Sequence, residues 1–265
     1  MIRMVISEMG LLMRAQKHYS RAPITEAIID FRVALAEGFV PDKFGDIHSQ
    51  IKEDFPIMQP FHTKVGTVTF GHNSRLDSPI KVDTSQEHSG FWFRSRDNLR
   101  IFQATTGGFT FNRLAPYTSW EEFSTEAKRL WEIYNDICKP ICVTRAAIRY
   151  VNQINIPVNE LIELKDFLNT GPEVSSTLPQ AALQTFFMQL QIPQQDLDCL
   201  LIINEAMVPR TNPHQVTIIL DFDLFREQIW ASDDKDLWLF LDRLRHRKNE
   251  VFEASITDKT RELIS

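Results

Sequence analysis

Glycine and cysteine are scarce in this sequence, which has 9 Gly and 3 Cys among 265 residues. With 13 Pro besides, the composition leaves little room for long flexible linkers. The cysteines Cys138, Cys142 and Cys199 are odd in number and lie in apolar runs. Such cysteines are typical of buried free thiols in a reducing compartment, so we expect a cytoplasmic protein without a disulfide framework.

Long apolar runs and an excess of basic residues are also missing. No stretch approaches the roughly 20 apolar residues that span a membrane, so no membrane partner is predicted. Acidic residues outnumber basic ones, 35 to 29, and the net charge of −6 disfavours non-specific binding to phosphate backbones. Residues 1–20, with methionines at positions 1, 4, 9 and 13, are expected to form a poorly ordered or weakly docked N-terminal arm.

Motifs for catalysis and cofactor binding are absent. The seven histidines show no HExxH or other metal-ligand spacing, and three residues rather than two separate Cys138 from Cys142. Gly107-Gly108 indicates a hairpin turn, because neither a Lys-Ser/Thr pair nor a helix start follows it. We therefore predict no cofactor, and favour a protein that is not an enzyme.

Hydrophobic periodicity changes along the first half of the chain in a defined order. Residues 23–33, PITEAIIDFRV, alternate apolar and polar side chains, as a strand with one buried face does. A short helix opened by Pro41, several strands, and a long helix capped by Thr118 or Ser119 follow. The first half is thus read as strand, helix, strands and long helix.

The second half repeats this order. VTRAAIRYVNQINI is read as a strand, VNELIELKDFLN as a short helix, three further segments as strands, and a final long helix is capped by Ser232 or Asp233. We therefore expect an α+β fold of two tandem β-α-β(3-4)-α units, residues 21–140 and 141–265, with an antiparallel sheet and long helices packed on one face.

The first strands of the two units carry opposite charges at equivalent positions. In their alignment Glu26 and Asp30 fall opposite Arg145 and Arg149. Antiparallel pairing would bring Glu26 to Arg149 and Asp30 to Arg145, which gives the halves an electrostatic reason to associate. The apolar faces align as well, with Thr25, Ala27, Ile29 and Phe31 over Thr144, Ala146, Ile148 and Tyr150.

Four blocks of sequence resemble those of a known family: APITEAIIDFRV, RAAIRYVNQI, IILDFDLF and LDRLRHRKNEVFEASITDKTREL. They are similar to blocks of a sporadically distributed bacterial family of conserved hypothetical proteins of about this length, over nearly the whole chain. Ala147 lies near a position where that family leads us to expect glycine. The resemblance implies an accessory role in phage defence and directs attention to Asn152 and His246. The order of elements also resembles the duplicated unit of the TATA-box-binding protein and its distant relatives.

A strand with alternating aromatic and basic residues is a candidate binding face. In FWFRSRDNLR, Trp92, Arg94 and Arg96 lie on one side of the strand, and Arg145 and Arg149 extend that side. Asn152 is the sixth residue of this candidate binding face. An aromatic ring beside guanidinium groups is suited to stacking on a base and contacting phosphate. The alternative is that Trp92 packs on a helix and the arginines pair with carboxylates.

Two further groups of charged residues are candidates for sites. Asp221 and Asp223 project from one face of a strand and are the weak candidates for a divalent metal, with a solvated strand end as the alternative. The run RLRHRK places Arg243 and Arg247 on one helix face near His246, where they would dock an acidic partner or line the solvated side of the helix.

Three function classes remain. We favour a non-catalytic binding or interaction protein with a protein partner, and exposed sheet edges make a homodimer an option as well. A nucleic-acid-binding module that uses Trp92 and the arginines is the first alternative, although the net charge does not favour it. A metal-dependent enzyme around Asp221 and Asp223 is the second.

Overall fold

The computed structural model describes residues 18–69, 81–158, 163–175, 177–179, 183–209, 212 and 214–265, and only the backbone of residues 64–69 and 81–86. All but the last three residues of the expected N-terminal arm lie outside the described residues. The strands are β1 (Ile24–Ala34), β2 (Ile57–Thr69), β3 (Lys81–Arg94), β4 (Arg100–Thr105), β5 (Gly108–Leu114), β6 (Cys142–Pro157), β7 (Phe186–Gln194), β8 (Cys199–Val208) and β9 (Gln215–Trp230). The helices are α1 (Phe44–Ile51), α2 (Trp120–Cys138), α3 (Lys235–Ser255) and α4 (Asp258–Ile264), with 3-10 turns at Pro41–Lys43 and Leu164–Asp166.

The strands form one antiparallel sheet in the order β2-β3-β4-β5-β1-β6-β9-β8-β7. The two strands with the clearest alternation, β1 and β6, pair with each other at the centre, where Ile29 lies opposite Ile148. The chain before α2 fills one half of the sheet, and the chain after it fills the other. The two ends of the sheet are therefore β2 and β7.

The expected fold class is wrong. The two halves do not form tandem β-α-β(3-4)-α units with long helices, because hydrogen bonding between β1 and β6 joins the nine strands of the described residues into a single sheet. The described part of the protein is mostly β, with helices of 8, 19, 21 and 7 residues. The long-range pairing of two strands, which local periodicity does not report, decides this architecture.

The short helix expected in the second half, over residues 158–169, is also corrected: the described part of this segment contains only the 3-10 turn Leu164–Asp166. Leu168 instead forms an isolated β-bridge with Ile256. Asn169 donates to the carbonyl oxygens of Ala254 and Ile256, each at 2.9 Å. The Asn169 backbone N–H donates to the Ser255 carbonyl at 2.9 Å, and the Phe167 carbonyl accepts from the Thr257 N–H at 3.1 Å. Backbone groups of this segment are therefore satisfied by the end of α3 and the residues that follow it.

The helices pack on one face of the sheet, which we call the helix face. Phe31 of β1 lies at its centre, with ring centroids 4.9 Å from Trp131 of α2 and 5.6 Å from Trp238 of α3. The alternate residues of each strand project from the opposite face, which we call the polar face. One side of the sheet thus supplies the core, and the other displays side chains that the core does not use.

The helix ends follow local capping rules. Ser119 accepts a hydrogen bond from the Glu122 N–H at 3.1 Å at the start of α2, and Asp234, rather than Ser232 or Asp233, caps α3 by accepting from the Asp236 N–H. Lys139 ends α2 in the left-handed conformation, directly before Pro140. Among the described residues, no helix combines the length and the apolar character that a membrane crossing requires.

Candidate interaction surfaces

A cluster of ion pairs occupies the centre of the polar face. Arg149 of β6 binds the carboxylate of Asp221 on β9 through two hydrogen bonds of 2.8 and 2.7 Å. Arg145 lies between Asp30 at 2.9 Å and Asp223 at 3.1 Å, which links β1, β6 and β9. Burial raises the pKa of the Asp223 carboxyl, and the neighbouring guanidinium groups of Arg145 and Arg149 oppose that rise.

Amide and hydroxyl groups extend this cluster across the sheet. Asn204 of β8 donates to Asp221 at 2.9 Å, and Gln189 of β7 donates to Asn204 at 2.7 Å. On the other side, Asn112 of β5 donates to Glu26 at 2.6 Å, and Thr110 donates to Asp30 at 2.8 Å. The central charges are therefore fixed by neighbours within the sheet.

The predicted charge pairing between β1 and β6 is shifted in register. The two strands are antiparallel neighbours, but Arg149 lies opposite Ile28 and Arg145 opposite Arg32, two residues from the expected alignment. Asp30 and Arg145 still meet in an ion pair. Glu26 instead accepts from Asn112, and Arg149 is bound to Asp221. The slip of two residues preserves which face each side chain occupies.

The Asp221–Asp223 pair does not resemble a cation site. Each carboxylate accepts hydrogen bonds from a guanidinium group, and Asp221 is only 4% exposed. Within the part of the chain that the structure describes, no group of three or more His, Cys, Asp or Glu side chains is arranged to hold a metal ion. The geometry therefore gives no support to the metal-dependent alternative.

The residues of the predicted nucleic-acid face are not brought together. Trp92 and Arg94 lie on the polar face of β3, where the Trp92 ring stacks on Phe61 and the Arg94 guanidinium lies 5.5 Å from the indole. Arg96 is exposed in the turn after β3. Arg145 and Arg149 lie four strands away, roughly 19 Å at the usual strand spacing. Because those two arginines already face carboxylates, they offer little free positive charge to a phosphate.

Asn152 is a structural residue of the core. It is 2% exposed on the helix face of β6, and its side-chain amide donates to the Leu220 carbonyl at 3.0 Å. The buried amide satisfies a backbone carbonyl of the sheet and is not accessible to a partner.

The basic run of α3 is partly used inside the protein. Arg247 binds Asp196, Gln194 and Glu250, and so ties α3 to the turn between β7 and β8. Arg243 and His246 are exposed. Of the three predicted docking residues, only these two remain available to a partner.

Two buried ionisable side chains on the helix face were not predicted. Glu205 of β8 is 1% exposed, neither carboxylate oxygen has a hydrogen-bond partner, and burial raises its pKa to about 7. Lys248 of α3 is 8% exposed, with its ammonium nitrogen 4.1 Å from the ring centroid of Tyr150. Burial, and then the nearby charge of Arg245, lower the pKa of Lys248 to about 7.

The role of β7 as the end of the sheet was not predicted either. This strand, FFMQLQIPQ, contains no charged residue. Phe187 is 69% exposed and Ile192 is 39% exposed. Among the described residues no strand lies beyond β7, so the backbone groups on its outer side have no strand partner there.

Exposed apolar side chains concentrate around this strand. The large exposed apolar residues of the described chain include five between positions 178 and 208. Thr185, just before β7, donates to the Met207 carbonyl, which holds the segment with Leu183 beside the end of β8, where Val208 lies. We define the β7 edge as β7, which carries the exposed Phe187 and Ile192, together with the neighbouring Leu183 and Val208. A concentration of exposed apolar groups is typical of a surface that binds another molecule.

No protein-family model, no curated protein and no solved structure matches this chain.

Proposed function

We propose that this chain is a non-catalytic interaction protein that binds a protein partner by strand addition along the β7 edge. One observation carries the proposal: a nine-residue strand without a charged side chain ends the sheet, with Phe187 69% exposed. An edge strand offers unpaired N–H and C=O groups to another chain, and natural sheets usually block such an edge with charge, proline or a bulge. In β7 the only such feature is Pro193, near its end.

The opposite end of the sheet serves as an internal comparison. β2 contains Pro60 in its interior and Lys64 further along. Proline removes a ladder hydrogen bond, and lysine at an edge discourages pairing with a foreign strand. The two ends therefore differ in the features that normally prevent strand addition, and β7 is the less protected.

Strand addition uses the features of the β7 edge in two ways. Main-chain hydrogen bonds supply affinity, and alternate side chains supply specificity. Phe187 and Ile192 would contact an added strand from opposite faces of the sheet, because their positions differ in parity. The accessory role in phage defence that the family resemblance implies is the biological setting we propose for this binding.

A pair of matched isoleucine variants tests the proposal. Tagged wild type, Ile192→Lys and Ile229→Lys would be purified from the native host, and bound proteins quantified by mass spectrometry. Ile229 is 74% exposed on β9, which is not an edge strand, so the control introduces the same charge elsewhere. We expect wild type and Ile229→Lys to retain a stoichiometric partner, which is either another protein or an untagged copy of this chain. Ile192→Lys should lose that partner.

A partner retained equally by all three proteins would contradict the β7 edge as the binding surface. Nucleic acid that is released by nuclease and lost on Arg94→Ala would point instead to the face around Trp92.

A further inference from the structure

We infer that the strand added to β7 is β7 of a second copy of this chain, antiparallel, with a two-fold axis at Leu190. This inference rests on the proposed function and names its partner. Antiparallel pairing of identical strands about a two-fold axis produces an isologous, closed interface, which needs a self-complementary strand.

β7 is self-complementary about Leu190. In the symmetric register, Gln189 faces Gln191 of the partner subunit, and Met188 faces Ile192 of the partner subunit. Phe187 faces the partner subunit's Pro193, so an exposed ring covers a proline ring. Between residues 187 and 193, like chemistry thus lies opposite like chemistry on both faces of the sheet, and only the terminal pair, Phe186 with Gln194 of the partner subunit, differs.

The backbone groups at the centre of β7 are compatible with this register, whereas Pro193 has no N–H to donate to the carbonyl of the partner subunit's Phe187. A proline within a strand is accommodated where its missing N–H would point away from the neighbouring strand. Pro193 is paired to β8, so residues of its parity, including Gln189 and Gln191, direct their N–H and C=O groups outward. Gln189 and Gln191 would then exchange hydrogen bonds across the interface in both symmetry-related positions. Leu190 and its copy would form the non-hydrogen-bonded pair on the axis.

The charge pattern favours a second copy over a different protein. From residue 174 to residue 195 the sequence has no Asp, Glu, Lys, Arg or His, although the whole chain carries a net charge of −6. A charged residue close to a two-fold axis lies near its own copy and is repelled by it, so a long neutral stretch removes this obstacle to self-pairing. A different protein that recognises its partner by charge complementarity would find no charged side chain on this strand.

An edge-to-edge contact of nine residues is small for a protein interface, so we expect a reversible dimer whose population depends on concentration. Sedimentation velocity across a range of protein concentrations would measure it. Ile192→Lys should remain monomeric throughout, because two symmetry-related lysines would enter the interface, and Ile229→Lys should match wild type.

The register is tested by disulfide trapping between two single variants. Directly opposed residues in a hydrogen-bonded pair have Cα atoms about 5.5 Å apart, within disulfide range. A mixture of Gln189→Cys and Gln191→Cys, each with a different tag, should therefore form a covalent heterodimer under mild oxidation. Either variant alone places its cysteines on a diagonal, roughly 7–8 Å apart, and should trap far less. Wild type, with its three native cysteines, is the background control.

The outcomes separate this inference from the proposed function. A chain that stays monomeric, but binds another protein that Ile192→Lys loses, keeps strand addition and rejects the second copy. A dimer that survives Ile192→Lys, or a mixture that traps no more than either variant alone, rejects the β7 pairing. If the wild type forms no dimer and binds no partner that depends on β7, both the second-copy inference and the proposed strand addition are rejected.

Discussion

The guanidinium group of Arg149 binds the carboxylate of Asp221 through two parallel hydrogen bonds, although the residues are 72 positions apart in the chain. The aspartate is 6% exposed at its side chain and the arginine 46%. A bidentate pair of this kind fixes both groups in one orientation. It explains why a carboxylate can be buried on the polar face, and why it is not free for a metal.

Removal of Arg149 should therefore destabilise the protein. Arg149→Ala leaves Asp221 buried with Asn204 as its remaining described donor, and we expect a loss of about 1–3 kcal/mol in the free energy of unfolding. Urea denaturation followed by circular dichroism measures it. Arg96→Ala, at an exposed turn position, is the control and should change stability by less than about 0.5 kcal/mol. Equal effects of the two substitutions would contradict the structural role of the pair.

Glu205 should make stability fall as pH rises. Its pKa is raised from 4.5 to about 7 in the folded protein, so the folded state binds more protons than the unfolded state between these values. The stabilisation is complete below about pH 4.5 and is lost as pH rises through 7. Glu205→Gln should then be more stable than wild type at pH 8, by roughly 3 kcal/mol, and nearly equal to it at pH 4.5. Melting curves at both pH values test this.

The exposed Glu227 on the neighbouring strand supplies the control for that experiment. Glu227→Gln should leave the difference in stability between pH 4.5 and pH 8 as it is in wild type. A Glu205→Gln variant with an unchanged pH profile would show that the carboxyl group is not buried as described.

Lys248 should have the opposite dependence on pH. Its pKa is lowered from 10.5 to about 7, so the unfolded state binds more protons over that interval and stability rises with pH there. Lys248→Met removes this cost, and should stabilise the protein by roughly 3–5 kcal/mol at pH 6 and by much less at pH 10. Thermal unfolding at the two pH values measures the difference. Lys52→Met, at an exposed lysine, should show no such trend.

Gly108 is required by the close approach of β5 to β1. It has a φ of 145°, and a Cβ atom there would lie 1.9 Å from the Phe31 carbonyl oxygen. Gly108→Ala should therefore destabilise the protein by more than about 2 kcal/mol, since backbone must move. The adjacent Gly107 is the matched control, because its nearest contact would be the flexible end of Arg32 at 3.4 Å. Gly107→Ala should cost little in the same urea titration, and similar losses at both positions would contradict the packing described.

Local rules account for much of the secondary structure. The Ser119 cap and the apolar spacing of α2 predict that helix, and the alternation in residues 23–33 predicts β1. The charge pattern also predicts that Asp30 and Arg145 meet when the two strands pair antiparallel, as they do in an ion pair of 2.9 Å. These features depend on residues a few positions apart, or on the identity of single side chains, and so can be read without a structure.

Pairing between distant segments decided the strand register and the remaining features of the fold. The register of β1 against β6, two residues from that of simple charge matching, depends on β5 and β9, which supply Asn112 to Glu26 and Asp221 to Arg149. In the described part of residues 158–169, where a helix was expected, the backbone of Phe167 and Asn169 instead bonds to the end of α3 and the residues that follow it.

The position of β7 at the end of the sheet was likewise decided by pairing between distant segments. FFMQLQIPQ has the composition of a strand, and its alternation is the same whether one neighbour or two will pair with it. Composition and periodicity were therefore sufficient for β1 and for the Ser119 cap of α2, whereas the cap of α3 lies one or two residues beyond the predicted positions. Only the pairing of strands that are distant in the sequence determined which strand keeps an unpaired side. An edge is defined by the absence of a neighbouring strand and not by any residue within the strand itself.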